Sequence, residues 1–429
     1  MKKDIIKEII RNFQTRDLPI VHKRNVSLPV DAGKIVSITG VRRSGKTFLM
    51  YDTIQRLIGN GIDREKIVYI NFEDERLNFK TEELDSILES YRELYLDTPL
   101  KNVYFFFDEV QNIPDWEKFV RRIVDTVSGN VFITGSNAHL LSSDISTTLR
   151  GRSINYEVFP LSFSEYLWFY DMKPDLYDPA GKARIIRHFE SFLWNGGFPE
   201  TLTLSEEPRG KTLQEYYNVM IYRDIVERFS ITNLGTLKYF LKRVFESVTK
   251  PLSVNKIYNE LKSQGYKIGK NMLYDFLDAA EAVYLILPLK KFASSILKQE
   301  LSEKKYYGID NGLLCATSYD YKNDYGKLLE NLVMLELRKS GKSIAFIKNG
   351  KECDFVLIEK DVPVRLIQVC YSLSDNNTKT REINSLVAVC KTLKMKEGFI
   401  LTYDEEGELV EDGVKILIIP VYRYLLQYA

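Results

Sequence analysis

Cysteine is scarce in this 429-residue chain, and the four present, Cys315, Cys353, Cys370 and Cys390, include no Cys-x-x-Cys pair. The spacing shows no pairing pattern and reads as reduced thiols in a cytoplasmic protein. Long apolar runs are missing too: nothing approaches the roughly 18 to 20 apolar residues that span a bilayer. The opening residues, Met1-Lys-Lys-Asp-Ile-Ile-Lys-Glu-Ile-Ile, lack the uninterrupted apolar core and small-residue cleavage site of a secretory signal. Neither sign of charge is in excess, with 60 Lys plus Arg against 59 Asp plus Glu. No global field therefore demands a nucleic-acid or membrane partner.

What is present begins with a helical stripe, Ile5, Ile6, Ile9, Ile10 and Phe13. Two readings fit it, a membrane-surface helix or packing on a protein core, and packing is favoured. The length suggests two to four domains, each able to bury a core.

Residues 35–39, Ile-Val-Ser-Ile-Thr, form an apolar strand that runs into Gly40-Val41-Arg42-Arg43-Ser44-Gly45-Lys46-Thr47-Phe48. Strand, Gly-x-x-x-x-Gly-Lys-Thr and helix make a phosphate loop. The two glycines free the backbone to turn its N–H groups onto phosphate oxygens at a helix N-terminus. Lys46 is expected on the β- and γ-phosphates and Thr47 on Mg²⁺. Arg42 and Arg43 have no settled role: sensing phosphate, contacting another domain and simple solvation all remain open.

A second run, Val103-Tyr-Phe-Phe-Phe, ends in Asp108-Glu109. Five β-favouring residues without alternation suit a strand buried on both faces, with Asp108 at its carboxyl end beside the phosphate loop. Asp108 is then a Mg²⁺ group, and Glu109 is placed to polarise an attacking water. Residues 67–72 read as a further strand between these motifs, and 131–135 and 153–159 as strands after them.

An extra strand between phosphate loop and acidic motif, with Glu109 directly after Asp108, resembles the additional-strand catalytic-glutamate ATPases and, within them, the AAA+ class. The resemblance implies ATP with Mg²⁺, and sets Ser136 and Asn137 where a polar side chain orients water near the γ-phosphate. It also sets Arg150 and Arg152 where an arginine finger often lies, which would require a homo-oligomer; a surface turn pairing with a carboxylate is the alternative. Residues 40–47, Leu149-Arg-Gly-Arg152, 159–166, Gly196-Gly-Phe-Pro-Glu200 and Tyr222-Arg-Asp224 together look like the prokaryotic AAA+ ATPases that carry a C-terminal domain of unknown function. No Asn-Lys-x-Asp motif for guanine appears.

The expected architecture is thus α/β: a P-loop NTPase core over 1–160 and a helical lid over 161–235. A winged-helix module follows over 236–310, and a C-terminal α/β nuclease-like domain over 311–429. The aromatics of the lid read as packing, and Glu200 and Arg223 as structural ion-pair members. In 236–310 a helix, a turn at Gly265, a second helix and a strand pair give the winged-helix order. This segment holds 13 Lys plus Arg against 8 Asp plus Glu. Lys267, Lys270 and Asn271 open its second helix, with Lys290 and Lys291 on the wing, all suited to DNA phosphates. Winged helices also serve as protein-binding modules, so DNA and a protein partner both stay open.

In the last segment Glu330 lies on a helix, Asp354 on a strand and Gln368 with Cys370 on the next. The order resembles the PD-(D/E)XK nuclease fold, with Gln368 in place of an acid and Cys370 in place of the lysine. A second Mg²⁺ site at Glu330, Asp354 and Gln368 follows from the resemblance, but both replacements weaken it. Lys348, Lys351 or Arg381 could stand in for the missing lysine. A degenerate domain used for docking, assembly or autoregulation is the preferred reading, and an ATP-gated nuclease the least. The favoured function is an ATPase that couples nucleotide state to DNA; a switch acting on a protein partner comes second.

Overall fold

Five apolar runs of the N-terminal part fold as a parallel sheet: β1 (Ile35–Thr39), β2 (Ile67–Asn71), β3 (Tyr104–Asp108), β4 (Val131–Gly135) and β5 (Ser153–Glu157), in the order β2-β3-β4-β1-β5. The computed structural model describes residues 2–77, 79–136, 149, 151–293, 295–318, 321, 324–348 and 350–427, the side chain of Ile296 excepted. These fall into two compact units, Met1–Phe159 and Pro160–Ala429.

In the first unit the lack of alternation in β3 has the expected cause. Phe105 and Phe107 enter the core on one face of the sheet, while Phe106 enters the other and stacks on Phe132 at 4.5 Å. The second face is covered by α2 (Lys46–Gly59), the first by α3 (Asp85–Leu94) and α4 (Trp116–Thr126). Helix α1 (Lys2–Thr15) buries Ile6, Ile10 and Phe13 in these cores. It lies along β2, where Gln14 donates to the Glu65 and Ile67 carbonyls at 3.1 Å each. The apolar stripe of α1 is therefore used in packing.

The second unit starts with helices, as the change of period at residue 160 predicts: α5 (Phe163–Phe169), α6 (Pro179–Asn195) and α7 (Glu206–Val219). Ser162 and Glu165 exchange side-chain and backbone hydrogen bonds at 3.2 and 2.8 Å, a capping box that explains the Ser-Phe-Ser-Glu sequence. Tyr222, Arg223 and Asp224 lie on a π-helical continuation, Met220–Glu227. Helices α8 (Leu234–Glu246), α9 (Val254–Ser263) and α10 (Lys270–Ala282) follow, and then an antiparallel pair, β6 (Ile286–Leu289) and β7 (Lys305–Gly308). After α11 (Ile296–Leu301, between those strands) come α12 (Asn311–Thr317) and α13 (Tyr325–Lys339).

Six strands complete the unit: β8 (Ser343–Lys348), β9 (Glu352–Glu359), β10 (Val362–Val369), β11 (Glu397–Thr402), β12 (Gly407–Glu411) and β13 (Val414–Pro420). Their order is β12-β13-β11-β10-β9-β8, antiparallel from β8 to β10 and parallel from β10 through β11 to β13. Helix α14 (Asn376–Thr392) makes the β10-to-β11 crossover and buries Leu386 and Cys390 against Cys353, Leu366 and Ile400. No disulfide links the four cysteines. Among the described residues no helix is long and apolar enough to cross a membrane.

Candidate functional site

The loop between β1 and α2 carries the sharpest local constraints of the first unit. Gly40 has φ 147, and a Cβ there would lie 2.0 Å from the carbonyl oxygen of Val158, just past β5. Gly45, φ 98, caps α2, and Arg43 between them is also left-handed at φ 65. Arg24 braces the loop by donating to the carbonyls of Ser44 at 2.9 Å and Phe159 at 2.7 Å. Ser44 Oγ is buried, and no hydrogen bond to it exists among the described residues. A donor orphaned inside a ring of backbone N–H groups fits a phosphate oxygen. Val41 is buried beneath the loop, Arg42 pairs with Glu73 at 3.0 Å, and Phe48 is half exposed on α2.

Lys46 Nζ lies back against the loop, donating to the Gly40 and Val41 carbonyls at 3.1 Å each and standing 3.6 Å from Glu109 Oε1. Thr47 Oγ1 donates to Asp108 Oδ2 at 2.8 Å. The two groups expected to share one cation are thus already neighbours, and both are oxygen donors of the kind Mg²⁺ takes. Two residues that sequence reasoning missed complete the setting: the Tyr69 hydroxyl donates to Asp108 Oδ2 at 2.7 Å, and Thr134 donates to Oδ1. Burial, with Glu109 beside it, pushes the Asp108 carboxyl up against these three hydroxyl donors.

Glu109 follows in a left-handed conformation, φ 53, with its N–H on Thr134 Oγ1 at 2.8 Å. Strain of this sort in a non-glycine residue persists where the surroundings over-determine it. Its carboxylate accepts from Gln111 Nε2, which also reaches Ser136 Oγ at 3.4 Å. Burial alone would raise Glu109, but Lys46, Gln111, Arg42 and Ser136 outweigh it and hold the carboxyl below the ordinary glutamate value. An ionised carboxylate fixed by a neutral amide is what a proton-accepting role needs. Gln111, like Arg24, escaped the sequence reading; its one signal is a polar side chain two residues after Glu109.

Sequence comparison agrees with this geometry. The family described as AAA domain matches residues 32–167, and two families described as domains of unknown function, DUF8612 and DUF4143, match 186–323 and 325–424. The uncharacterized protein MJ1544 of Methanocaldococcus jannaschii is 35% identical, the match covering 100% of this chain and 96% of that protein. This chain belongs to its family. An uncharacterized protein of Haemophilus influenzae is 28% identical over 92% of this chain and 95% of its own length. Solved structures of C. elegans PCH-2 and of AMPPCP-bound DnaA from Aquifex aeolicus match 65% of this chain at 13% and 14% identity, covering 66% and 86% of theirs. Their TM-scores are 0.23 and 0.25, too low to bear on the argument. The chain is a member of a family that carries an AAA domain, which supports nucleotide binding, and the relatives named are archaeal and bacterial proteins.

In this AAA domain Ser136 is brought to Glu109 through Gln111, whereas Asn137 and Arg150 lie outside the described residues. Within its own chain Arg152 makes the carboxylate pairing that was the alternative to a finger. It immediately precedes β5, its carbonyl accepting from Ile35 N–H at 2.8 Å, and its side chain pairs with Asp125 of α4. That is the end of the sheet where β1 begins, about 13 Å of strand away from the phosphate loop. Arg152 therefore serves no phosphate held by its own chain.

In the second unit Lys267 is exposed in the loop before α10, Asn271 is exposed in the first turn of that helix, and Lys270 stands 6.0 Å from the Tyr274 ring. Asp275 and Asp278 are exposed on the same helix. The β6–β7 pair does not project freely as a wing. Phe292 N–H donates to the Phe346 carbonyl at 2.7 Å and Phe346 N–H to the Lys290 carbonyl at 3.1 Å, which joins the hairpin to edge strand β8 around Lys291. The Lys290 ammonium pairs with Glu300 at 2.5 Å.

Glu330 of α13, Asp354 of β9 and Gln368 of β10 do converge, with Gln368 Oε1 accepting the Asp354 N–H at 3.3 Å. Among the described residues no group of His, Cys, Asp and Glu is arranged to hold a metal ion. The expected second Mg²⁺ site departs from a metal centre because a lysine from another element lies within it: Lys305 Nζ is 3.3 Å from Glu330 and 3.1 Å from Asp354.

Proposed function

We propose that this protein is a Mg²⁺-dependent ATPase whose nucleotide state is coupled to DNA through the α8–α10 module. The observation that carries the ATPase reading is Thr47 Oγ1 on Asp108 while Glu109, beside it in sequence, faces Lys46 and is gripped by Gln111. The phosphate-loop N–H groups and Lys46 bind the β- and γ-phosphates. Lys46 reaches them by leaving the Gly40 and Val41 carbonyls. Thr47 and Asp108 would hold Mg²⁺, which when bound would supply charge neutralisation at the γ-phosphate. Glu109 accepts the proton of the attacking water, and Ser136 and Gln111 fix the direction of its carboxylate.

The exposed Lys267 and Asn271, the partly buried Lys270 and the positive balance of 236–310 support DNA as the coupled ligand. A specific observation favours a protein partner as the second reading: Asp275 and Asp278 share the exposed part of α10, and the hairpin is bound to β8. An oligomer is a further part of the proposal, since only a neighbouring copy could use Arg152. Specific activity that rises with protein concentration, and stops rising in Arg152→Ala, is its signature.

The test is ATP turnover with duplex, forked and single-stranded DNA at low and moderate salt, alongside Lys267→Ala/Lys270→Ala. Stimulation that fades with salt and with the double substitution supports DNA coupling. Turnover indifferent to all DNA, with intact basal activity, moves the reading to the protein partner.

A further inference from the structure

The acidic site of the C-terminal sheet is already filled, and by this chain. Lys305 comes from β7, the return strand of the hairpin, and its side chain is 1% exposed. Its ammonium lies 3.1 Å from Asp354 Oδ1, 3.2 Å from Glu352 Oε1 and 3.3 Å from Glu330 Oε1. An ammonium has three N–H donors; here it donates to Glu330 and Asp354 and forms an ion pair with Glu352. Other groups of the chain engage the same carboxyls. Tyr307, two residues along β7, donates its hydroxyl to Glu330 Oε1 at 2.7 Å, and Val369 N–H donates to Asp354 Oδ2 at 3.0 Å. The outer oxygen of Glu352 pairs with Lys348 at 3.4 Å, and the Lys305 ammonium stands 5.4 Å from the Phe346 ring.

We infer that Lys305 acts as a built-in cation, taking the place of a divalent metal at Glu330, Glu352 and Asp354 and thereby fastening the β6–β7 hairpin to α13 and β9. The inference is independent of the ATPase reading. Its chemistry is consistent throughout the site. Gln368 supplies an amide where a metal would want an anion, and spends its oxygen on a backbone N–H. Burial alone would lower the lysine, but Asp354, Glu330 and Glu352 more than offset it, so the ammonium keeps its proton. Burial and the nearby Asp354 push Glu330 up to about 8 against the pull of Lys305 and Tyr307, so one carboxyl of the three retains its proton near neutrality. This limits the negative charge that the lysine must balance. A buried ion pair of this kind is a poor source of net stability but a strong determinant of which surfaces meet, since removing one partner strands the others.

The experiment uses the full chain without nucleotide and follows Mn²⁺ by electron paramagnetic resonance and unfolding by differential scanning calorimetry. Wild-type protein and Asp354→Asn are expected to bind the same number of Mn²⁺ ions, any ion at the phosphate loop being common to both. Lys305→Ala is expected to lose on the order of 10 °C in the melting of the second unit. It is also expected to gain one Mn²⁺ that restores part of the loss and disappears in Lys305→Ala/Asp354→Asn. A wild-type Mn²⁺ ion lost in Asp354→Asn would overturn the inference, as would a folded Lys305→Ala with unchanged melting and no added ion. Should the variants not fold, Fe²⁺-directed peroxide cleavage of the wild type decides alone. Backbone cuts near Glu330 and Asp354 contradict the built-in cation, and their absence beside cuts near Asp108 supports it.

Discussion

Gln111 gives its amide to Glu109 and reaches Ser136, so the Glu109 carboxylate, the proposed proton acceptor, is aimed by a side chain that carries no charge of its own. A hydrogen bond to a charged group contributes about 1.5–3 kcal/mol, which converts to roughly tenfold or more in rate when only the transition state feels it. Gln111→Ala is therefore expected to lower kcat by at least about tenfold and leave KM for ATP unchanged; steady-state kinetics that show the reverse split would assign Gln111 to binding. A second buried carboxyl has a consequence for pH. Asp310 caps α12 and accepts from Gly197 N–H at 2.7 Å and Leu313 N–H at 3.0 Å, yet burial lifts it from 3.8 to about 6. Its folded value exceeds its unfolded one, so its contribution to stability is complete below the unfolded value and is lost as pH rises through about 6. Asp310→Asn retains a capping oxygen without that titration. Relative to wild type its melting temperature should improve between about pH 4 and pH 7, and parallel curves would contradict the assignment.

Helix α1 closes the β2 edge of the AAA sheet, satisfying two carbonyls through Gln14 and filling both cores with isoleucine and phenylalanine. Ile10→Ala should cost about 2–5 kcal/mol, read in urea unfolding of the nucleotide-binding unit; a loss under about 0.5 kcal/mol would mean α1 is only loosely held. This helix was legible in the sequence because its stripe has one period and one use. The same holds for β3, whose unbroken aromatic run needed burial on both faces, for β1, which leads straight into the phosphate loop, and for that loop, whose glycines have one geometry to serve. Tyr69, Thr134 and Gln111 were not legible. Tyr69 and Thr134 reach Asp108 only because Asn71 pairs with Asp108 and Ile133 with Phe107, and register between strands is not written in either strand alone. Lys305 was hidden for a related reason: a lysine in a short strand reads as solvated until a neighbouring sheet supplies its carboxylates.

At the scale of the whole molecule, 429 residues divide into a nucleotide-binding unit ending at Phe159 and a larger unit from Pro160. A ligand that binds one folded unit stabilises that unit, by about 2.7 kcal/mol at a hundredfold excess over Kd. Calorimetry with Mg²⁺ and a non-hydrolysable ATP analogue should therefore raise the transition of the AAA unit by several degrees and leave the transition sensitive to Lys305→Ala in place. A single transition moved by both would show that the units unfold together. The near-zero net charge gives no long-range field for DNA, so any DNA response must come from the local patch on 236–310 and decline with salt. The proposed coupling to DNA presupposes hydrolysis at the phosphate loop. The most direct measurement is ATP binding and turnover by wild type, Lys46→Ala and Glu109→Gln in Mg²⁺. Lys46→Ala should lose both, whereas Glu109→Gln should bind ATP as the wild type does and turn over about 10²–10⁴-fold more slowly. Wild-type turnover by Glu109→Gln would contradict the account.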